Sequence, residues 1–255
     1  MSAINTALPV LSSRTLAYMT TVAEIIAQSR EKAAGDAKWL GSAKHLKFLE
    51  VALGDVFHVT DATLSWVLPG QPSSWQHSTR EIRLERPVVT PVLTAEDAAE
   101  LTVLGLLHES LHARFSPELG LFRKRHPDLL PEVASWAGLM FQRLEDGRVG
   151  YQGLLANSEL GEPLAKHAAM TLTFFEQQAR SRRSGSTPEP QFQTEQLVFA
   201  LQAYCVAPDT ALVLHPRVEL RLTKLKEPID RARAGSSREC DELCVRLAKA
   251  IVAFG

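Results

Sequence analysis

The sequence predicts a mainly α-helical α+β fold with a small β-sheet. Three observations carry this. Apolar residues recur at helical spacing through both ends of the chain. Two short segments, alternating or rich in β-branched residues, lie close together before its middle. A long apolar helical run follows them directly. At 255 residues, 45% hydrophobic and 22% charged, the chain can bury a sizeable core. It reads as a single domain over 1–255. Residues 1–60 form a helical N-terminal part and 61–180 the sheet and central core. A linker at 179–191 leads to a helical C-terminal part at 192–255.

The first helix has Ser12 or Ser13 as candidate caps and runs to about Lys32, with Leu16, Met19, Val22, Ala23, Ile25 and Ile26 on its apolar face. Gly35 breaks it. The second spans about Ser42 to Leu53, with Leu46, Leu49, Val51 and Leu53 inward. Strands are expected at Thr63 to Leu68 and Glu81 to Val89, separated by a Pro/Gly/Ser-rich loop. In the later strand Ile82 and Leu84 face the core, and Arg83 and Glu85 face solvent. Pro87 and Pro91 suit an edge position, where a strand can take up an extended peptide.

The central helix is well signalled. Thr94 is its candidate N-cap and Asp97 gives a variant of the capping box. Glu96, Asp97 and Glu100 place negative charge near the positive end of the helix dipole. Leu101, Leu104, Leu107, Leu111 and Phe115 supply a wide apolar surface, and Pro117 stops the helix. After a polar, basic connection at Phe122 to Asp128, another helix starts near Pro131. Its apolar positions are Val133, Trp136, Ala137, Met140, Phe141 and Leu144. Further helices are expected at about Pro163 to Arg180, Thr194 to Val206, Val218 to Ala234 and Glu239 to Phe254.

Composition narrows the partners. A formal net charge of −1 gives no footprint for nucleic acid or an anionic membrane. No apolar run approaches the ~18 residues of a membrane helix, and the N-terminus lacks the pattern of a signal peptide. Cys205, Cys240 and Cys244 are too few for a disulfide framework. The i, i+4 pair Cys240 and Cys244 reads as core packing. A reducing, cytoplasmic location is expected.

The chemistry concentrates on the central helix, in His108-Glu109-Ser110-Leu111-His112, an H-E-x-x-H pattern. Four helical positions advance by about 400°, so the two imidazoles stand one turn apart on one face, where one Zn²⁺ can bridge them. Glu109 lies close enough to act as general base on a water at that metal. A hydrolytic zinc site takes a third protein ligand. Glu145, on the following helix, is the candidate. Asp146 is then an outer partner that orients a ligand histidine, although the two acids can exchange roles. Arg148, three residues beyond Glu145, can orient a carboxylate or stabilise an oxyanion, and Tyr151, His167 and Tyr204 are further candidate donors to a developing oxyanion. The other histidines, His45, His58, His77, His126 and His215, are scattered and read as surface or structural residues.

HESLH at 108–112 together with LEDGRV at 144–149 resembles the gluzincin branch of zinc metallopeptidases. More narrowly, it is similar to metallopeptidase-like domains of bacteria and their phages that pair H-E-x-x-H with a downstream L/I-E-D-x-R motif. The resemblance covers roughly Glu81 to Tyr151. It implies a zincin-like fold, one zinc held by His108, His112 and Glu145, Glu109 as catalytic base, and a peptide or protein substrate. A non-catalytic zinc protein of a bacterial or phage assembly is the alternative. The chain departs from that family in ending with helices where a von Willebrand factor A-like domain often follows. It also carries Val149 four residues after Glu145, where other gluzincins show E-x-x-x-D.

Overall fold

A computed structural model describes residues 21–91, 93–116, 122–170, 189–208 and 214–254. Helix α1 (Val22–Gly35) is capped by Thr21, whose hydroxyl accepts from the Glu24 N–H while the Glu24 carboxylate accepts from the Thr21 N–H. That reciprocal capping box, rather than Ser12 or Ser13, starts the described helix; both serines lie outside the described residues. Ser42 caps α2 (Ala43–Asp55), which turns Leu49 and Leu53 inward. Val51, expected inward, is exposed, being two positions and about 200° round the helix from Leu49.

Three strands follow where two were expected: β1 (Thr63–Val67), β2 (Ser74–Gln76) and β3 (Glu81–Glu85), in the spatial order β1-β3-β2. β1 runs parallel to β3, with Leu64 opposite Ile82 and Trp66 opposite Leu84. β2 runs antiparallel to β3, with Trp75 opposite Ile82. The segment between the expected strands therefore holds a strand of its own, and the later strand ends at Glu85 rather than Val89. β3 is central, so the edge position falls to β1 and β2. Ile82 and Leu84 are buried as their alternation requires.

Helix α3 (Ala95–Phe115) begins as expected. The Thr94 hydroxyl accepts from the Asp97 N–H, and its own proton goes to the Asp97 carboxylate. The basic connection contains a helical turn, α4 (Phe122–Arg125). Helix α5 (Pro131–Ala156) opens on Pro131, whose missing N–H costs nothing at a first helical position. α6 is described over 161–170, and the rest of the expected helix to Arg180 lies outside the described residues. α7 (Glu189–Val206) begins inside the expected linker, the remainder of which is likewise outside them. α8 (Pro216–Ala234) and α9 (Ser237–Phe254) complete the described chain.

Two cores form. The first gathers α1, α2, the sheet and α3 around Leu49, Ile82, Leu106 and Leu107, with Val149 of α5 and Leu164 of α6. The second gathers α5, α7, α8 and α9 around Met140, Leu144, Leu201 and Ile229. Cys205, Cys240 and Cys244 are buried in it as free thiols, in line with core packing. α5 is the shared wall, and glycines set how closely its neighbours approach. A Cβ on Gly147 would lie 2.6 Å from the Cys205 Cβ of α7, and one on Gly153 would lie 2.9 Å from Leu111 of α3. Among the described residues no helix is long and apolar enough to cross a membrane.

His45 illustrates a cost the first core carries. It is fully buried beside the Trp39 and Trp66 rings, its Nδ1 accepts the Gly41 N–H at 3.2 Å, and its Nε2 has no partner. Burial pushes its imidazole from 6.5 down to about 4. The unfolded chain thus takes up a proton before the folded one. Stability is unaffected by this group above pH 6.5 and falls as the pH drops towards 4, by about 3 kcal/mol in all. Denaturant unfolding across that range should show the decline in the parent protein and a shallower one in His45→Gln.

Candidate metal centre

The centre lies where α3 crosses α5. His108 and His112, one turn apart on α3, bring their rings to 4.8 Å between centroids at an angle of 82°. From α5, Asp146 places Oδ1 3.2 Å from His112 Nε2 and 3.6 Å from His108 Nε2. One ligand atom from each of the three lies within 4.8 Å of the others, so the group can hold a metal ion. Donors bound at ~2.0–2.1 Å to a tetrahedral ion stand about 3.3–3.4 Å apart, so both distances from Asp146 fit a shared ion.

The carboxylate that meets the histidines is therefore Asp146, and the expectation of Glu145 as third ligand is corrected. Glu145 receives both arms of the Arg148 guanidinium, Nε to Oε2 at 2.8 Å and Nη2 to Oε1 at 2.7 Å. Ser116 and Ser237 donate to the same Oε1 at 2.9 and 2.8 Å. Adjacent helical residues point about 100° apart, and the phase of α5 turns residue 146 towards α3. Gly153, seven residues on and on the same stripe, leaves room for Leu111 of α3, which a Cβ there would meet at 2.9 Å.

The other candidates divide. His167, from α6, is brought in and stacks on the His108 ring at 4.8 Å between centroids. Arg148 is committed to Glu145 and to the Phe115 carbonyl at 2.7 Å, which removes it as an oxyanion donor. Tyr151 lies under the Arg233 guanidinium at 4.5 Å, and the Tyr204 hydroxyl reaches Asp230 at 3.5 Å. Both tyrosines thus face α8 rather than the histidines.

Burial shapes the charges. It opposes ionisation of Asp146, but hydrogen bonds and charge from His108 and His112 outweigh it and hold the carboxyl well below its ordinary range. It also opposes protonation of His112, where the bond and charge of Asp146 prevail and raise the imidazole above its usual value. Burial pushes the Glu109 carboxyl up, offset in part by His108 and His112; the Trp75 backbone N–H of β2 donates to it. It pushes the His167 imidazole down to about 3, with like charge on His108 adding to the shift.

Two outer contacts escaped sequence reasoning although helical spacing holds them. Ser116 stands four residues after His112 and places Oγ 2.9 Å from its Nδ1. Arg143 stands three residues before Asp146 and donates from Nη1 to Oδ2 at 3.3 Å and to Gln202 at 3.3 Å, with its guanidinium over the Phe199 ring at 4.6 Å. No family model, curated protein or solved structure matches the chain.

The two neighbouring acids should separate by experiment. Asp146→Ala should weaken metal binding at least tenfold in competition with a chelating dye. Arg148→Met leaves Glu145 buried without its cation and should cost about 3–5 kcal/mol in denaturant unfolding. Equal metal affinity in Asp146→Ala and the parent protein would remove Asp146 from the ligand set.

Proposed function

We propose that the protein is a zinc-dependent peptidase with Glu109 as its general base. The observation that carries this is the convergence of His108 Nε2, His112 Nε2 and Asp146 Oδ1 beside a buried Glu109. Two imidazoles and one carboxylate are a donor set suited to zinc, and three protein ligands leave a position for water. Bound there, zinc supplies a Lewis acid that polarises a carbonyl and acidifies water.

The chain's own groups account for the rest. Glu109 follows His108 directly and is held by the Trp75 N–H of β2. It takes the proton of the attacking water and returns it to the leaving amine. β2, an edge strand, lies against α3 beside Glu109. His167, stacked on His108, is the remaining candidate to donate to the oxyanion.

A non-catalytic zinc centre is favoured by one observation. The side chains of His108, His112 and Asp146 are only 11%, 16% and 17% exposed. Glu109→Gln decides between the readings. As a peptidase, this variant keeps its zinc, measured by mass spectrometry, and loses cleavage of a fluorogenic peptide library by at least a hundredfold, the lower range for a general base. Cleavage at the parent rate would sink the general-base assignment. Parent protein that is zinc-loaded and silent on every peptide would favour the structural centre.

A further inference from the structure

We propose that Ser116 and Glu145 form a positioning relay that sets which nitrogen of His112 faces the metal, a reading that rests on the metal centre proposed above. Ser116 Oγ lies 2.9 Å from His112 Nδ1 and 2.9 Å from Glu145 Oε1. A hydroxyl has one proton to give. Glu145, facing the Arg148 guanidinium through two bonds, is an ionised carboxylate and can only accept. The serine proton therefore goes to Glu145. The lone pair that remains on Oγ accepts from His112, so Nδ1 carries the ring hydrogen. Nε2 then keeps its lone pair for a metal ion or a second proton, and Nε2 is the atom that meets Asp146 Oδ1 at 3.2 Å. Whatever occupies that space, a proton or a metal ion, the Nδ1 side is already assigned.

The relay is held from several sides. Arg148 Nη2 also takes the carbonyl of Phe115, the residue before Ser116, at 2.7 Å. Ser116 is the C-cap of α3, and its backbone N–H donates to the His112 carbonyl at 3.0 Å. Its main chain and side chain thus both engage His112. From the first turn of α9, buried Ser237 donates to Glu145 Oε1 at 2.8 Å. Through that bond the C-terminal helix takes part in a centre built by α3 and α5. Neither Ser116 nor Glu145 touches the reacting atoms; they act through the histidine. Outer partners of this kind are worth 10–100-fold in metal affinity.

The test measures zinc affinity by competition with a chromophoric chelator, alongside the unfolding free energy of the metal-free protein. Ser116→Ala should bind zinc 10–100-fold more weakly, with metal-free stability little changed. Ser116→Thr, which keeps the hydroxyl, should recover most of that affinity. Ser237→Ala, which removes one of Glu145's several donors, should lose less than Ser116→Ala. Parent-like affinity in Ser116→Ala would overturn the relay while leaving the metal centre standing. So would an equal loss in Ser116→Thr. A parent protein that binds no zinc would overturn the centre itself, and the relay with it.

Discussion

Burying charge at one helix crossing is the constraint on which the rest of the structure depends. Moving an ion into a protein interior costs several kcal/mol unless partners replace its water. Where α3 meets α5 the protein buries or half-buries two histidines, three carboxylates and two guanidinium groups. Each is tied down by a neighbour. Asp146 has the two imidazoles and Arg143, and Glu145 has Arg148 and two serines. Glu109 is held by a backbone N–H of β2. The sheet edge, the end of α3 and the start of α9 must therefore all be in place for the crossing to be tolerable.

That requirement explains why the molecule has two cores with a polar seam between them. α5 gives each face a different neighbour. Val149 joins the first core, while Met140 and Leu144 join the second. Gly147 admits α7, Gly153 admits α3, and Glu145 with Arg148 reaches α9 through Ser237. Glu100 repeats the theme on a smaller scale, buried on α3 with Arg30 of α1 and Lys166 of α6 as its cations. A helix lined on all sides in this way has little freedom to slide or rotate, which keeps the groups that α3 and α5 bring together in register.

Most of the long helices were legible in the sequence because caps and periodicity state them locally. Thr94 with Asp97 and Pro131 mark helix starts that the structure reproduces. β2 was not legible, since three residues are too short to display a period of two. What makes Ser74–Gln76 a strand is its pairing with β3 and the burial of the Trp75 ring, both long-range facts. The approach of His167 to His108 is long-range in the same sense. Ser116, by contrast, was within reach, because the same four-residue spacing that pairs the two histidines also pairs it with His112.

The exchange between Glu145 and Asp146 shows where local reasoning stops and where it could have continued. Both acids sit on one helical turn, and nothing in their own chemistry ranks them as ligands. The ranking comes from phase, the direction each faces once α5 has docked. Phase leaves a trace in sequence as small residues, because a helix can approach closely only where side chains are missing. Gly153 lies on the stripe of Asp146 and marks the face turned to α3. Arg148 lies on the stripe of Glu145 and supplies the buried cation that a buried glutamate needs. Asp146, in line with Gly153, meets the histidines, and Glu145, in line with Arg148, supports Ser116 behind them.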